Sequence, residues 1–140
     1  MVSLIVGAKG KGKTKHLLAK AAELQKELKG SMVYIDKNNK HMYELDSKVR
    51  LIDMSEFSMA STDEFLGFIC GVISQNSDIE EILLDSFLDN ALIDDDEAIA
   101  VAIDKIDKYS DKYDVNFVIS ISRNKDELPR KLADKVIIAL

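Results

Sequence analysis

The run Leu4-Ile5-Val6-Gly7-Ala8-Lys9-Gly10-Lys11-Gly12-Lys13-Thr14 decides how the rest of the chain is read. It begins as a short apolar strand, turns through three glycines and ends in residues that open an amphipathic helix. Gly7, Gly12, Lys13 and Thr14 stand at the fixed places of the Walker A pattern G-x-x-x-x-G-K-[ST]. In that pattern the glycines admit backbone conformations and close approaches that a Cβ would hinder. The loop N–H groups then wrap a phosphate chain, with the helix N-terminus pointing at it. Lys13 is placed to reach the β- and γ-phosphates, and Thr14 to put its hydroxyl on Mg²⁺. From average residue frequencies, a chance match in a chain this long is about a one-in-a-few-hundred event.

Outward from this loop, Val2 to Val6 is apolar apart from Ser3, which suits a strand covered on both faces in a parallel sheet. Leu17, Leu18, Ala21, Leu24 and Leu28 fall on one helical face, and Gly30 stands where a helix-ending glycine belongs. Met32-Val33-Tyr34-Ile35 reads as a second strand ending at Asp36, Lys37-Asn38-Asn39-Lys40 as a polar loop, and Val49 to Ile52 as a further short strand. Ser61 and Glu64 have capping-box spacing, and Phe65, Leu66, Phe68, Ile69, Val72 and Ile73 follow at helical spacing. Ile79 to Asp85 is an apolar strand ending in a carboxylate. Asp94 to Glu97 gives a second capping box before the helical face Ile99, Ala102, Ile103, Ile106 and Tyr113. Val115 to Ile121 is another strand, Leu128 to Ala133 a short helix with Pro129 in its first turn, and Val136 to Ala139 a last strand. This alternation predicts one α/β domain over residues 1–140: three layers, a mostly parallel sheet with helices on both faces.

Composition narrows the function classes. The 140 residues are 46% hydrophobic and 31% charged, the balance of a globular chain. A formal net charge of -6 argues against general nucleic-acid binding. Cys70 is the only cysteine and reads as a packed small residue, so there is neither an intrachain disulfide nor a cysteine metal cluster. No apolar run approaches ~18 residues and no basic leader precedes one, so no intrinsic membrane segment and a cytoplasmic location are expected.

Asp85 is the natural partner of the glycine-lysine loop. At the end of Ile82-Leu83-Leu84 it has the Walker B pattern, a strand-end carboxylate that orients Mg²⁺ through water. The next residue is Ser86, where many hydrolysing enzymes place an acid to align water. Glu80 and Glu81 belong to the other end of that strand. Lys9, Lys11 and Lys15 add charge around the loop, as triphosphate contacts or as solvated surface lysines. Ser120, Ser122 and Arg123 lie at a strand's loop edge, as a polar sensor or as ordinary strand-end polarity. Asn124-Lys125-Asp126-Glu127 approximates the N-K-x-D guanine motif with glutamate in the last place, and no D-x-x-G follows Asp85. Asp94-Asp95-Asp96 reads as helix capping. His16 reads as structural or exposed, and His41 as a loop residue with no visible partner.

Taken together these features resemble the RecA-like branch of the P-loop NTPases. The strand ending at Asp36 looks like the one that carries a catalytic glutamate two residues further on, a place held here by Asn38. Phe117 to Ser122 resembles the sensor strand, and Leu132 to Ile137 the terminal helix-to-strand passage. In length and element order the chain is also similar to small bacterial P-loop proteins sometimes labelled twitching-motility ATPases. A retraction motor needs a second domain and extra acidic and histidine boxes, for which this chain has no room.

The expected function is Mg²⁺-dependent binding of a nucleoside triphosphate, ATP. Gly7 to Lys15 form the binding loop, Lys13 and Asp85 are the catalytic candidates, and Thr14 and Asp85 hold the metal. Slow hydrolysis, completed by an oligomer neighbour or protein partner, competes with a nucleotide-binding switch or scaffold without turnover. Ser86 and Asn38 favour the latter. A GTPase and a small-molecule kinase are further alternatives. The kinase is disfavoured by the presence of only three arginines, Arg50, Arg123 and Arg130.

Overall fold

The computed structural model describes residues 1–140. Six strands form one sheet: β1 (Val2–Val6), β2 (Ser31–Asp36), β3 (Val49–Asp53), β4 (Ile79–Leu84), β5 (Asn116–Ile121) and β6 (Val136–Ala139). Their order is β3-β2-β4-β5-β1-β6, and every pairing is parallel. The helices are α1 (Lys13–Gln25), α2 (Thr62–Ser74), the short α3 (Phe87–Asn90) and α4 (Asp96–Tyr113). None is long and apolar enough to cross a membrane.

Strand alternation sends side chains to two cores. Ile5, Met32, Tyr34, Leu83 and Val118 face α1, which brings Leu17 and Ala21. Leu4, Val33, Ile82, Phe117 and Ile119 face the other way and pack with Phe65 and Ile69 of α2 and Ile99, Ile103 and Ile106 of α4. The chain is therefore a three-layer α/β fold. Its asymmetry follows from crossover handedness. The β1-to-β2 connection runs one way along the sheet, whereas β3-to-β4 and β4-to-β5 run the other. Right-handed crossovers in opposite directions put their helices on opposite faces. Connections thus leave the carboxyl ends of the adjacent strands β1 and β5 for opposite faces, and open α/β sheets bind ligands at such a crevice.

Local chemistry explains most element ends. Ser61 Oγ accepts the Glu64 N–H at 3.1 Å and starts α2. α4 starts one residue later than its sequence spacing predicts, because Asp95 is the cap and accepts the Ala98 N–H at 2.8 Å. Tyr113, expected on the buried face of α4, is exposed, and Ser110 is buried one turn earlier. Gly30 does not end a helix. α1 stops at Gln25, five residues before it. Gly30 is required by a close approach instead, since a Cβ there would lie 2.1 Å from the Asp78 carbonyl oxygen. The short helix expected over Leu128 to Ala133 is a 3₁₀ turn, Arg130–Lys135, and Pro129 precedes it. α3 carries no sequence signal of its own, because four residues are too few for periodicity.

Candidate functional site

The loop from Gly7 to Gly12 leaves the carboxyl end of β1 and turns into α1. Gly10 (φ +82°) and Gly12 (φ +94°) hold the left-handed conformations that make the turn, with open space around both. α2 and α4 begin under side-chain caps, but α1 has none and no acid in its first turn. Its first amides, with the positive end of the helix dipole, are left for something else to satisfy.

What α1 points at is a cavity of about 290 Å³. Lys9, Gly10, Gly12, Lys13 and Thr14 form one wall. The other is built from strand ends: Lys37 after β2, Asp85, Ser86 and Asp89 after β4, and Ser120 with Ser122 at β5. Of the residues singled out in the sequence, Lys9, Gly10, Gly12, Lys13, Thr14 and Asp85 meet here, and so do Ser86, Ser120 and Ser122. Gly7 and Ala8 are set back from the cavity; the Gly7 N–H donates to the Arg123 carbonyl at 2.8 Å. Lys11 is exposed outside it, and Lys15 lines a neighbouring cavity with Thr14, His41 and Glu44.

Lys13 is buried, and its Nζ donates to the Ala8 carbonyl at 3.0 Å. Burial lowers its pKa from the ordinary lysine value, and the attraction of Asp85 only partly opposes this. A buried cation with one protein hydrogen bond out of three donors is poised for an anionic ligand.

Asp85 is held much more tightly. The Tyr34 hydroxyl donates to its Oδ2 at 2.8 Å, and the Ser120 hydroxyl to its Oδ1 at 2.9 Å. The Ser86 N–H also donates to Oδ1 at 2.9 Å and reaches Ser120 Oγ at 3.1 Å. To do so Ser86 adopts φ 50°, ψ 42°, a left-handed conformation uncommon outside glycine. Three of about four lone-pair positions of the carboxylate are thus occupied. The remaining capacity suits a metal-bound water rather than direct ligation. Thr14 and Asp85 line the same cavity, and theirs are the oxygens that could hold a hard cation such as Mg²⁺.

Tyr34 and Asp36 carried no site signal in the sequence. The Asp85 N–H donates to the Ile35 carbonyl at 2.8 Å, and Ile35 pairs with Leu84, so Asp36 and Asp85 follow side by side at the ends of β2 and β4. Asp36 is buried, and its pKa is raised first by that burial and then by the charge of Asp85. Tyr34 is fully buried; burial and the Asp85 carboxylate push its phenol far above its ordinary value and keep it a donor. The one available hint at Tyr34 was a polar atom inside the buried run Met32 to Ile35.

Other candidates lie elsewhere. Arg123 donates to the Asp94 carbonyl at 3.2 Å and pairs with Asp96, which ties it to the start of α4. Asn38 turns into its own loop, its Oδ1 accepting the Lys40 N–H at 3.0 Å. Glu127 folds back to accept the Asn124 N–H at 3.0 Å, a local turn. His41 does have a partner, Glu44, on the same loop. Glu80 and Glu81 lie at the far end of β4, where Glu80 accepts the Gly30 N–H and Glu81 an Asn116 amide. Cys70, on α2, is half-buried.

No family model matches the chain, and no match was found among curated proteins.

Proposed function

We propose that this chain is a P-loop protein that binds ATP with Mg²⁺, and that binding rather than rapid turnover is its chemical capacity. The supporting observation is a convergence on one cavity: an uncapped helix N-terminus, Lys13 and Thr14 face the strand-end carboxylate Asp85. A polyanion placed there would satisfy the free amides of α1 and the buried ammonium together. Mg²⁺ would supply further charge neutralisation of the phosphates, held by the Thr14 hydroxyl and by Asp85 through water.

Slow hydrolysis follows from the same groups. Lys13 and the loop amides are preorganised for charge that develops on the phosphates. A water-activating base is less well supplied. Ser86 stands next to Asp85, Asn38 is turned away, and Asp85 is already hydrogen-bonded by three donors. This favours a nucleotide-binding switch, or an enzyme whose turnover is completed by an oligomer neighbour or protein partner. The Asn124 to Glu127 turn presents no intact guanine motif, so ATP is preferred over GTP.

The test is titration calorimetry with ATP, ADP and GTP, each with Mg²⁺ and with EDTA, followed by a phosphate-release assay. ATP should bind more tightly with Mg²⁺, and phosphate release should be slow. Absence of ATP binding at millimolar concentration would remove the proposal. Rapid release by the isolated chain would remove the binding-without-turnover half of it.

A further inference from the structure

We propose that Tyr34 is a positioning residue for Asp85, holding its carboxylate in the orientation that receives a metal-bound water. The inference rests on the nucleotide-binding reading above and deepens it by naming a residue of the metal site that the motif does not contain.

Tyr34 sits in β2 directly beside Leu83 of β4, on the face covered by α1. Asp85 lies two residues beyond Leu83, on the same face and towards the cavity. The phenol spans that offset, and its hydroxyl meets Asp85 Oδ2 at 2.8 Å with both groups buried. The ring alone would fill the space between β2 and α1 equally well as phenylalanine. The hydroxyl is therefore explained by its acceptor, because a buried phenol without one is costly.

The second half of the argument is the softness of an aspartate side chain. Its terminal torsion has a broad profile rather than three staggered wells. Ser120 and the Ser86 N–H both grip the same oxygen, Oδ1, so by themselves they leave the carboxylate free to swing about that point. Tyr34 takes the other oxygen and fixes the plane. Strand β2 thereby holds the carboxylate carried on β4, opposite the wall that carries Thr14. Partners of directly ligating residues change metal affinity by about 10–100-fold when removed, and because Asp85 acts through water the lower end of that range applies to Tyr34.

The experiment compares Tyr34→Phe with the unmutated chain by calorimetry, titrating ATP in Mg²⁺ and in EDTA. The reading is the ratio of the two affinities. Tyr34→Phe should leave the affinity in EDTA within about twofold and cut the Mg²⁺ enhancement by about tenfold. In an Asp85→Asn background, Tyr34→Phe should cause no further loss of enhancement. A merely structural tyrosine would shift both affinities together or neither, and either result overturns the proposal. So does an effect of Tyr34→Phe that persists undiminished in Asp85→Asn. A measurement on the unmutated chain covers the case in which the variant does not fold. With fluorotyrosine incorporated, the ¹⁹F resonance of Tyr34 should move when Mg²⁺ joins the ATP complex, and a stationary resonance overturns the proposal. If the unmutated chain binds no ATP in either condition, the nucleotide reading itself fails and takes this inference with it. Mg²⁺-enhanced binding that is indifferent to Tyr34→Phe defeats only the inference.

Discussion

Replacing Lys13 by methionine separates binding from folding, because the structure predicts opposite consequences for the two. In the free protein the Lys13 ammonium is buried with one hydrogen bond, to Ala8 O at 3.0 Å. The direction of its pKa shift says that burial outweighs the attraction of Asp85, so the charge is not a source of stability in the empty site. Methionine keeps the stem's packing and forfeits one charge-assisted hydrogen bond, a contribution of about 1.5–3 kcal/mol that the relief of the buried charge offsets. The free variant should therefore melt within a few degrees of the parent, or above it. With a triphosphate bound, the ammonium would exchange the Ala8 contact for about two charge-assisted hydrogen bonds to phosphate oxygens at about 1.5–3 kcal/mol each. Less about 1.5–3 kcal/mol for the surrendered contact, which is itself charge-assisted, the net is about 1.5–3 kcal/mol, a fall in affinity of about 10-fold to 150-fold. Thermal melting and ATP calorimetry on one sample measure both quantities. A folded Lys13→Met variant that binds ATP within threefold of the parent would refute the assignment of Lys13 to the phosphates. A variant that loses binding only because it is unfolded would refute the account of Lys13 as a cation that contributes little to folding.

Two glycines with open surroundings should respond with opposite sign. Gly12→Ala forces a Cβ into φ +94° and should cost about 1–2 kcal/mol in urea unfolding, whereas Gly67→Ala within α2 should gain about 0.5–1 kcal/mol. Equal effects at both would mean that the loop does not hold its left-handed turn. Glu81 has a raised pKa, chiefly from burial at the far end of β4. Its protonated form is therefore favoured by folding: the stability it contributes is complete below the ordinary glutamate pKa and is lost as pH rises through the raised value. Glu81→Gln, which can still accept from Asn116, should stabilise the protein at neutral pH and progressively less as the medium becomes acidic, with ATP affinity unchanged; a stability difference independent of pH would contradict this. Phe87, fully buried on α3 just after Asp85, should cost about 3–5 kcal/mol on truncation to alanine, read from the denaturation midpoint. A loss under 1 kcal/mol would mean that the short helix is not packed as described.

The legibility of the molecule in its sequence follows the range of the interactions involved. Val2 to Val6, the helical face at Leu17 and Ala21, the cap at Ser61 and the closing strand at Val136 all rest on patterns local in the chain. The amide-rich turn into Lys13 and Thr14 is local too, because one glycine-bearing loop and the helix it opens are a single continuous piece of backbone. Gly30 has the local pattern of a helix-ending glycine, but its reason lies across space, at the Asp78 carbonyl. Arg123 could be named as polar, but its partners Asp94 and Asp96 lie across space at the start of α4, whereas His41 and Asn124 have theirs, Glu44 and Glu127, three residues on in the chain.

By itself, then, the sequence determined the alternation of strands and helices, the glycine-lysine turn and a strand-end aspartate. Each is set by side-chain period or by backbone conformation over a few residues. Only the tertiary structure decided that β4 lies two strands from β1, with β5 between them, so that Asp85 and Thr14 share a cavity. It also decided that Tyr34, Ser120 and the Ser86 N–H converge on one carboxylate. Tyr34 is 51 residues from Asp85 in the chain, and Ser120 is 35. Parallel pairing fixes which residues of distant strands stand side by side and on which face, and no local pattern carries that register.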